Sequence, residues 1–146
     1  MKVLFVDAGN YCRSPAAEVI ARQLAARAGL AGWQFSSAGL KDKHAGGPPD
    51  PRSVEACAAR GYDLGGFTCR EITAGDFAGS DLILAMDRDN LAQLQERRPA
   101  GNATRIELLL GDADVPDPYY GSEDGFTLMM DQLEAGVRKL LGARGR

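Results

Sequence analysis

A chain of 146 residues, 45% of them hydrophobic, has the length of one domain and enough apolar material for a core. Its formal net charge of −3 offers no footprint for nucleic acid, and the closing "RKLLGARGR" reads as a solvated basic tail. No apolar run is long enough to span a membrane, the start is too short for a signal peptide, and three cysteines (Cys12, Cys57, Cys69) without metal spacing suit a reduced, cytoplasmic protein.

In chain order, "KVLFV" predicts a buried strand and "PAAEVIARQLAARAG" a helix that stops at Gly29, with Ser14 as its N-cap. "WQFSSAG" predicts a short second strand. Asp50-Pro51 offers an N-cap followed by proline at the first helical position, opening the helix "PRSVEACAARG". "DLILAM" is the clearest central strand and "RDNLAQLQERR" the helix after it. "TRIELLL" is a fourth strand or an extended segment, and "GFTLMMDQLEAGVRKLL" closes the chain as an amphipathic helix. Alternating strands and helices with short connections predict a parallel sheet covered on both faces. Ligands of such folds bind beyond the carboxyl ends of the strands, which points to the loop after the first strand. The long irregular pieces "LKDKHAGGPPD" and "GDADVPDPYYGSEDG" are further candidates.

That first loop, "DAGNYCRS", runs from a strand end into a helix N-terminus, where unpaired amides and the dipole favour an anion. Gly9 and Asn10 tolerate the left-handed backbone that curls amides into a nest, and Arg13 adds a fork for two phosphate oxygens. The pattern is not that of a Walker loop, because its glycine–lysine–serine or threonine signature is missing. A phosphate-binding loop is the expectation. Asp7, a carboxylate at its mouth, is the anomaly.

"VLFVxxGNxCRSPxAE" together with "DPYYG" resembles the low molecular weight protein tyrosine phosphatases, and "SSAG", "PPDPR", "ITAGDF" and "ILAMDRDNL" extend the likeness over residues 1–146 as one such domain. The resemblance implies a flavodoxin-like α/β fold, with a four-stranded parallel sheet and helices on both faces. It implies hydrolysis of a phosphotyrosine protein or small aryl phosphate through a phosphocysteine, without metal or cofactor. Arg13 then corresponds to the arginine that clamps the phosphoryl oxygens, the amides of Ala8, Gly9, Asn10, Tyr11, Cys12 and Arg13 to the oxygen cradle, and Asp117 to the general acid. Asn10, Ser14 and Ser37 correspond to polar residues that shape the loop, and Tyr119 and Tyr120 to aromatics on the rim. Cys12 corresponds to a second family cysteine that can pair with the nucleophile.

The family's nucleophilic cysteine corresponds to Asp7. Three readings compete. In the first the site is dead: the carboxylate fills donors meant for phosphate, repels a dianion by about 4 kcal/mol per charge pair at 4 Å, and is a weaker nucleophile than a thiolate. In the second Asp7 forms an aspartyl phosphate, which would ordinarily call for magnesium and a carboxylate at position 9, where Gly9 stands. In the third Asp7 replaces another natural residue, inactivating the protein or mimicking an oxidised cysteine. The first reading is preferred, with a non-catalytic phosphate- or phosphotyrosine-binding module as the alternative function and an arsenate reductase as a weaker one. Where the family carries an aromatic beside the phenol ring stands Lys43 or His44, and the bulky Tyr11 is expected either to narrow the entrance or to stack on a substrate. His44 by itself reads as a surface loop residue, and Cys57 and Cys69 as structural.

Overall fold

The computed structural model describes residues 1–121 and 123–144. The elements are β1 (Lys2–Asp7), α1 (Arg13–Arg27), β2 (Gln34–Gly39), α2 (Pro51–Ala58), α3 (Ala74–Gly79), β3 (Leu82–Ala85), α4 (Arg88–Arg97), β4 (Arg105–Leu108), a 3₁₀ turn (Pro118–Tyr120) and α5 (Glu123–Arg144). The strands form one parallel sheet in the order β2-β1-β3-β4. "TRIELLL" therefore resolves as a short edge strand, followed by a turn.

β1 lies at the centre, and its unbroken apolar run Val3–Val6 is buried on both sides. Alternation sends Val3 and Phe5 to one face, with Leu82 and Leu84, against a core that includes Ile20 of α1 and Met129, Met130 and Leu133 of α5. Leu4 and Val6 go to the other face, with Ile83 and Ala85, against Phe77 of α3 and Leu94 of α4. Both faces of the sheet are thus covered by helices. This is the flavodoxin-like α/β fold. Cys57 and Cys69 are buried, and burial lifts their thiols to about 12 and about 11, with the Glu134 and Asp7 carboxylates adding to it in turn. No helix of the described residues is long and apolar enough to cross a membrane.

α2 opens as expected, with Asp50 accepting from the amide of Arg52 at 2.9 Å and Pro51 in the first turn. α1 does not: it begins at Arg13 rather than Pro15, with Cys12 at the N-cap and no side-chain capping bond. Ser14 does not serve as the cap. Its amide donates to the Asp7 carboxylate and its hydroxyl accepts from Asn10, so both groups are committed to the loop. α3 was not expected. It is only six residues long, and the Asp76 carboxylate at its start accepts from the amide and hydroxyl of Thr73.

In the strand order 2-1-3-4 the crevice lies where chain direction diverges from β1, beyond the carboxyl ends of β1 and β3. Residues 7–14, 86–88 and 109–120 follow strands β1, β3 and β4 to that end of the sheet.

Candidate active site

Residues 7–14 form a loop whose chemistry-bearing side chains are buried: Asp7 at 2% exposure, Asn10 at 0%, Arg13 at 2% and Ser14 at 0%. Asn10 takes the left-handed backbone, at φ 56°, which asparagine tolerates better than most side chains. The expectation that Gly9 shares that conformation is not met; Gly9 is instead small because a Cβ there would lie 3.3 Å from His44 Cδ2. Gly39, at the end of β2, is required from the other side: a Cβ on it would stand 2.5 Å from the carbonyl carbon of Gly9 and 2.6 Å from the amide of Asn10.

The Asn10 side chain organises the loop from within. Its Nδ2 donates to Ser14 Oγ at 2.9 Å and Ser37 Oγ at 3.1 Å, while its Oδ1 accepts from the Arg70 amide at 2.9 Å. Ser37 in turn donates to Glu18 Oε1 at 2.8 Å. Glu18 is buried, and desolvation pushes its carboxyl above the ordinary range despite Ser37, Arg22 and Arg70.

At the bottom of the cavity both oxygens of Asp7 are engaged. Oδ1 accepts from the Asn10 amide at 2.5 Å and Oδ2 from the Ser14 amide at 2.8 Å. Burial raises its pKa, and the Arg13 charge and the two amides offset only part of that effect. Arg13 Nη1 donates to Asp87 Oδ2 at 2.7 Å and to the Val115 carbonyl at 2.8 Å, and its Nη2 lies 3.5 Å from Asp117 Oδ2. Asp117 is 42% exposed on the opposite wall, and its Oδ1 accepts from the Tyr119 amide at 3.0 Å.

A cavity of about 300 Å³ joins these groups, lined by Asp7, Ala8, Gly9, Tyr11, Cys12, Arg13, Lys41, Lys43, His44, Asp117 and Tyr119. Its upper wall is aromatic. Tyr11 and His44 stack with centroids 3.6 Å apart and planes 8° from parallel, and Tyr119 is tilted towards both. His44 is thus part of the wall rather than a free loop residue, and Lys43 Nζ lies 5.4 Å from the Tyr119 ring centre. Cys12 Sγ donates to Asp50 Oδ2 at 3.4 Å, and burial, reinforced by the Asp50 charge, pushes its thiol up. Of the expected residues, Ser37 stands behind the loop and Tyr120 ends the 3₁₀ turn, its side chain lying outside the described residues. Among the described residues no group of three or more His, Cys, Asp or Glu side chains stands where it could hold a metal ion.

Sequence reasoning missed Asp87, Glu18 and the pair Asp50–Arg52. Asp87 lies two residues past β3, at the strand end where ligands of this architecture gather, and that rule would have flagged it. Arg52 grips Asp50 through Nε and Nη2 at 3.1 and 2.7 Å and also donates to the Tyr119 carbonyl at 2.9 Å, which links α2 to the wall of the cavity.

Residues 2–145 match the family model described as low molecular weight phosphotyrosine protein phosphatase. The chain belongs to that family. It is 38% identical to a low molecular weight protein-tyrosine-phosphatase of Streptomyces coelicolor, over 97% of this chain and 92% of that one. A crystal structure of a protein tyrosine phosphatase from Entamoeba histolytica, with Hepes in its active site, superposes with a TM-score of 0.91 at 36% identity, covering 97% of this chain and 94% of that one. A Drosophila arginine phosphatase superposes with a TM-score of 0.95 at 33% identity, covering 100% and 99%. By family the protein is therefore a protein tyrosine phosphatase, and its fold is shared with a phosphatase named for a different amino acid.

Proposed function

We propose that residues 1–146 act as one cytoplasmic domain built for phosphotyrosine or aryl phosphate hydrolysis, with Asp7 in the place of the nucleophile and turnover shut off by it. Phosphate would sit in the loop, on the amides from Ala8 to Arg13 and the Arg13 guanidinium, with Asn10, Ser14 and Ser37 holding the loop in shape. Asp117 would protonate the leaving phenol oxygen. The aromatic wall of Tyr11, His44 and Tyr119 suits the aryl group of such a substrate.

The observation that carries the reading is the pair of hydrogen bonds from the Asn10 and Ser14 amides to the two oxygens of Asp7. The Asn10 amide is one of the cradle donors a phosphate would need, and Asp7 itself lines the cavity. A carboxylate there competes for donors, and where ionised it repels the dianion. In the protonated form, favoured by burial, it is no nucleophile. Arg13 and Asp117 face each other across the cavity, so phosphate entering between them takes the guanidinium and frees Asp117 to hold a proton.

The test is hydrolysis of 4-nitrophenyl phosphate by this chain and by Asp7→Cys, each with and without magnesium. Turnover by Asp7→Cys alone is the expected result. Turnover by this chain as it stands would overturn the reading, and dependence on magnesium would then indicate an aspartyl phosphate. A phosphotyrosine peptide held by the unaltered chain below about 10 μM, or roughly −7 kcal/mol, would favour a binding module instead.

A further inference from the structure

We propose that Arg88, acting with Asp114, is a positioning residue for the proton donor, fastening the segment that carries Asp117 to the carboxyl end of β3. The inference rests on the reading of Asp117 as the general acid.

Asp117 has little of its own to hold it. Among the described residues its two polar contacts are the amide of Tyr119, within its own turn, and Arg13 at 3.5 Å, a partner that a bound phosphate takes over. Its position in the loaded site is therefore set by the chain on either side of it, which Arg52 holds on the far side through the Tyr119 carbonyl at 2.9 Å. Residues 109–117 contain no helix or strand, so this placement needs fixed points from elsewhere.

Three neighbouring positions supply them. Met86 accepts from the Val115 amide at 2.8 Å. Arg13 Nη1 donates to the Val115 carbonyl at 2.8 Å. Arg88 makes three bonds: its amide and its Nη1 both donate to Asp114 Oδ1 at 3.1 Å, and its Nη2 donates to the Asp112 carbonyl at 2.7 Å. A solvent-exposed ion pair alone contributes little, and this one is 63% and 40% exposed. What distinguishes it is that one guanidinium holds a carboxylate and a main-chain carbonyl two residues apart, while the backbone of the same arginine fixes that carboxylate. The planar fork of arginine suits such a double contact.

The position of Arg88 gives the arrangement its meaning. It is the first residue of α4, and the preceding Asp87 caps that helix with Oδ1, accepting from the Asn90 amide at 2.7 Å, while its Oδ2 holds Arg13. One helix N-terminus thus orients the phosphate-binding arginine through residue 87 and the acid-bearing segment through residue 88. Loss of the clasp should leave phosphate binding intact and loosen proton delivery.

The experiment compares Arg88→Met, Asp114→Asn and Asp117→Asn in the full chain carrying Asp7→Cys. The readout is kcat/KM for phosphotyrosine, whose phenol leaves with a pKa of about 10, and for 4-nitrophenyl phosphate, a much better leaving group. Arg88→Met and Asp114→Asn should lower the phosphotyrosine value about threefold to tenfold and change the nitrophenyl value by less than about twofold, a weaker form of the Asp117→Asn pattern. Arg88→Lys should recover only part of the loss. An equal fall on both substrates, or no change where Asp117→Asn separates them, would overturn the proposal. If Asp117→Asn itself fails to separate them, the assignment of the acid falls and this inference with it.

A second measurement does not depend on turnover. In the chain with Asp7 in place, Arg88→Met should speed hydrogen exchange of the Val115 amide about threefold to tenfold and leave the Asn10 and Ser14 amides unchanged. Unchanged exchange at Val115 would also overturn the proposal.

Discussion

The loop of residues 7–14 and the segment of residues 112–120 face each other across one cavity and are built in opposite ways. The first is buried. It is threaded by the Asn10 hydrogen bonds and pressed against Gly39 so closely that no side chain fits between. The second mixes exposed residues such as Asp117 with the buried Val115, lacks regular structure up to Pro118, and is held by a few bonds to residues 13, 52, 86 and 88. The difference suits the tasks proposed for them. An anion site must hold its donors fixed before the anion arrives, whereas a proton donor must release one partner and take another during the reaction.

Stability measurements sharpen this contrast. Gly39→Ala should be the most damaging change, about 3 kcal/mol, because the new methyl meets backbone of Gly9 and Asn10 that has nowhere to move; the midpoint of denaturant unfolding checks it. Asn10→Ala should cost about 2 kcal/mol by the same measurement, since it leaves the buried Ser37 and Ser14 hydroxyls and the Arg70 amide without their partner. On the exposed side, Arg88→Met and Asp117→Asn should each stay within about 0.5 kcal/mol. Equal costs on the two sides would break the contrast.

The pH dependence of stability provides a finer test. The folded pKa of Asp7 is raised above its ordinary 3.8, so its favourable contribution is full below that value and is lost as pH rises through the folded pKa. The stability difference between Asp7→Ser and this chain should therefore move in favour of the serine variant as pH rises from about 4, as read from unfolding midpoints at several pH values. Glu18 titrates in the same direction but is present in both proteins, so it cancels. A difference that is flat with pH would mean that the Arg13 charge and the two amides fully offset the desolvation of Asp7.

Much of the fold was legible in the sequence, because the apolar run of β1, the Asp50-Pro51 helix start and the alternation of elements are local signals. The start of α1 was misread because Ser14 has the identity of a cap, yet its amide and hydroxyl serve Asp7 and Asn10 instead. α3 escaped notice because six residues are too few to show a helical period. In the site, Asp7, Arg13 and Asp117 were named from motif positions, and the structure brings all three to one cavity. The stack of His44 on Tyr11 and the bond between Arg13 and Asp87 join residues 33 and 74 positions apart. Pairing at such separations comes from the tertiary fold and leaves no periodic trace.

The most direct test of the central claim, that Asp7 occupies its own anion loop, is a titration with inorganic phosphate followed at the backbone amides of Asn10 and Ser14 by NMR, for this chain beside Asp7→Ser. The account predicts saturable shifts of both amides in Asp7→Ser below about 1 mM phosphate and none over the same range in the unaltered chain. Saturation of the two amides at equal phosphate concentrations in both proteins would contradict it.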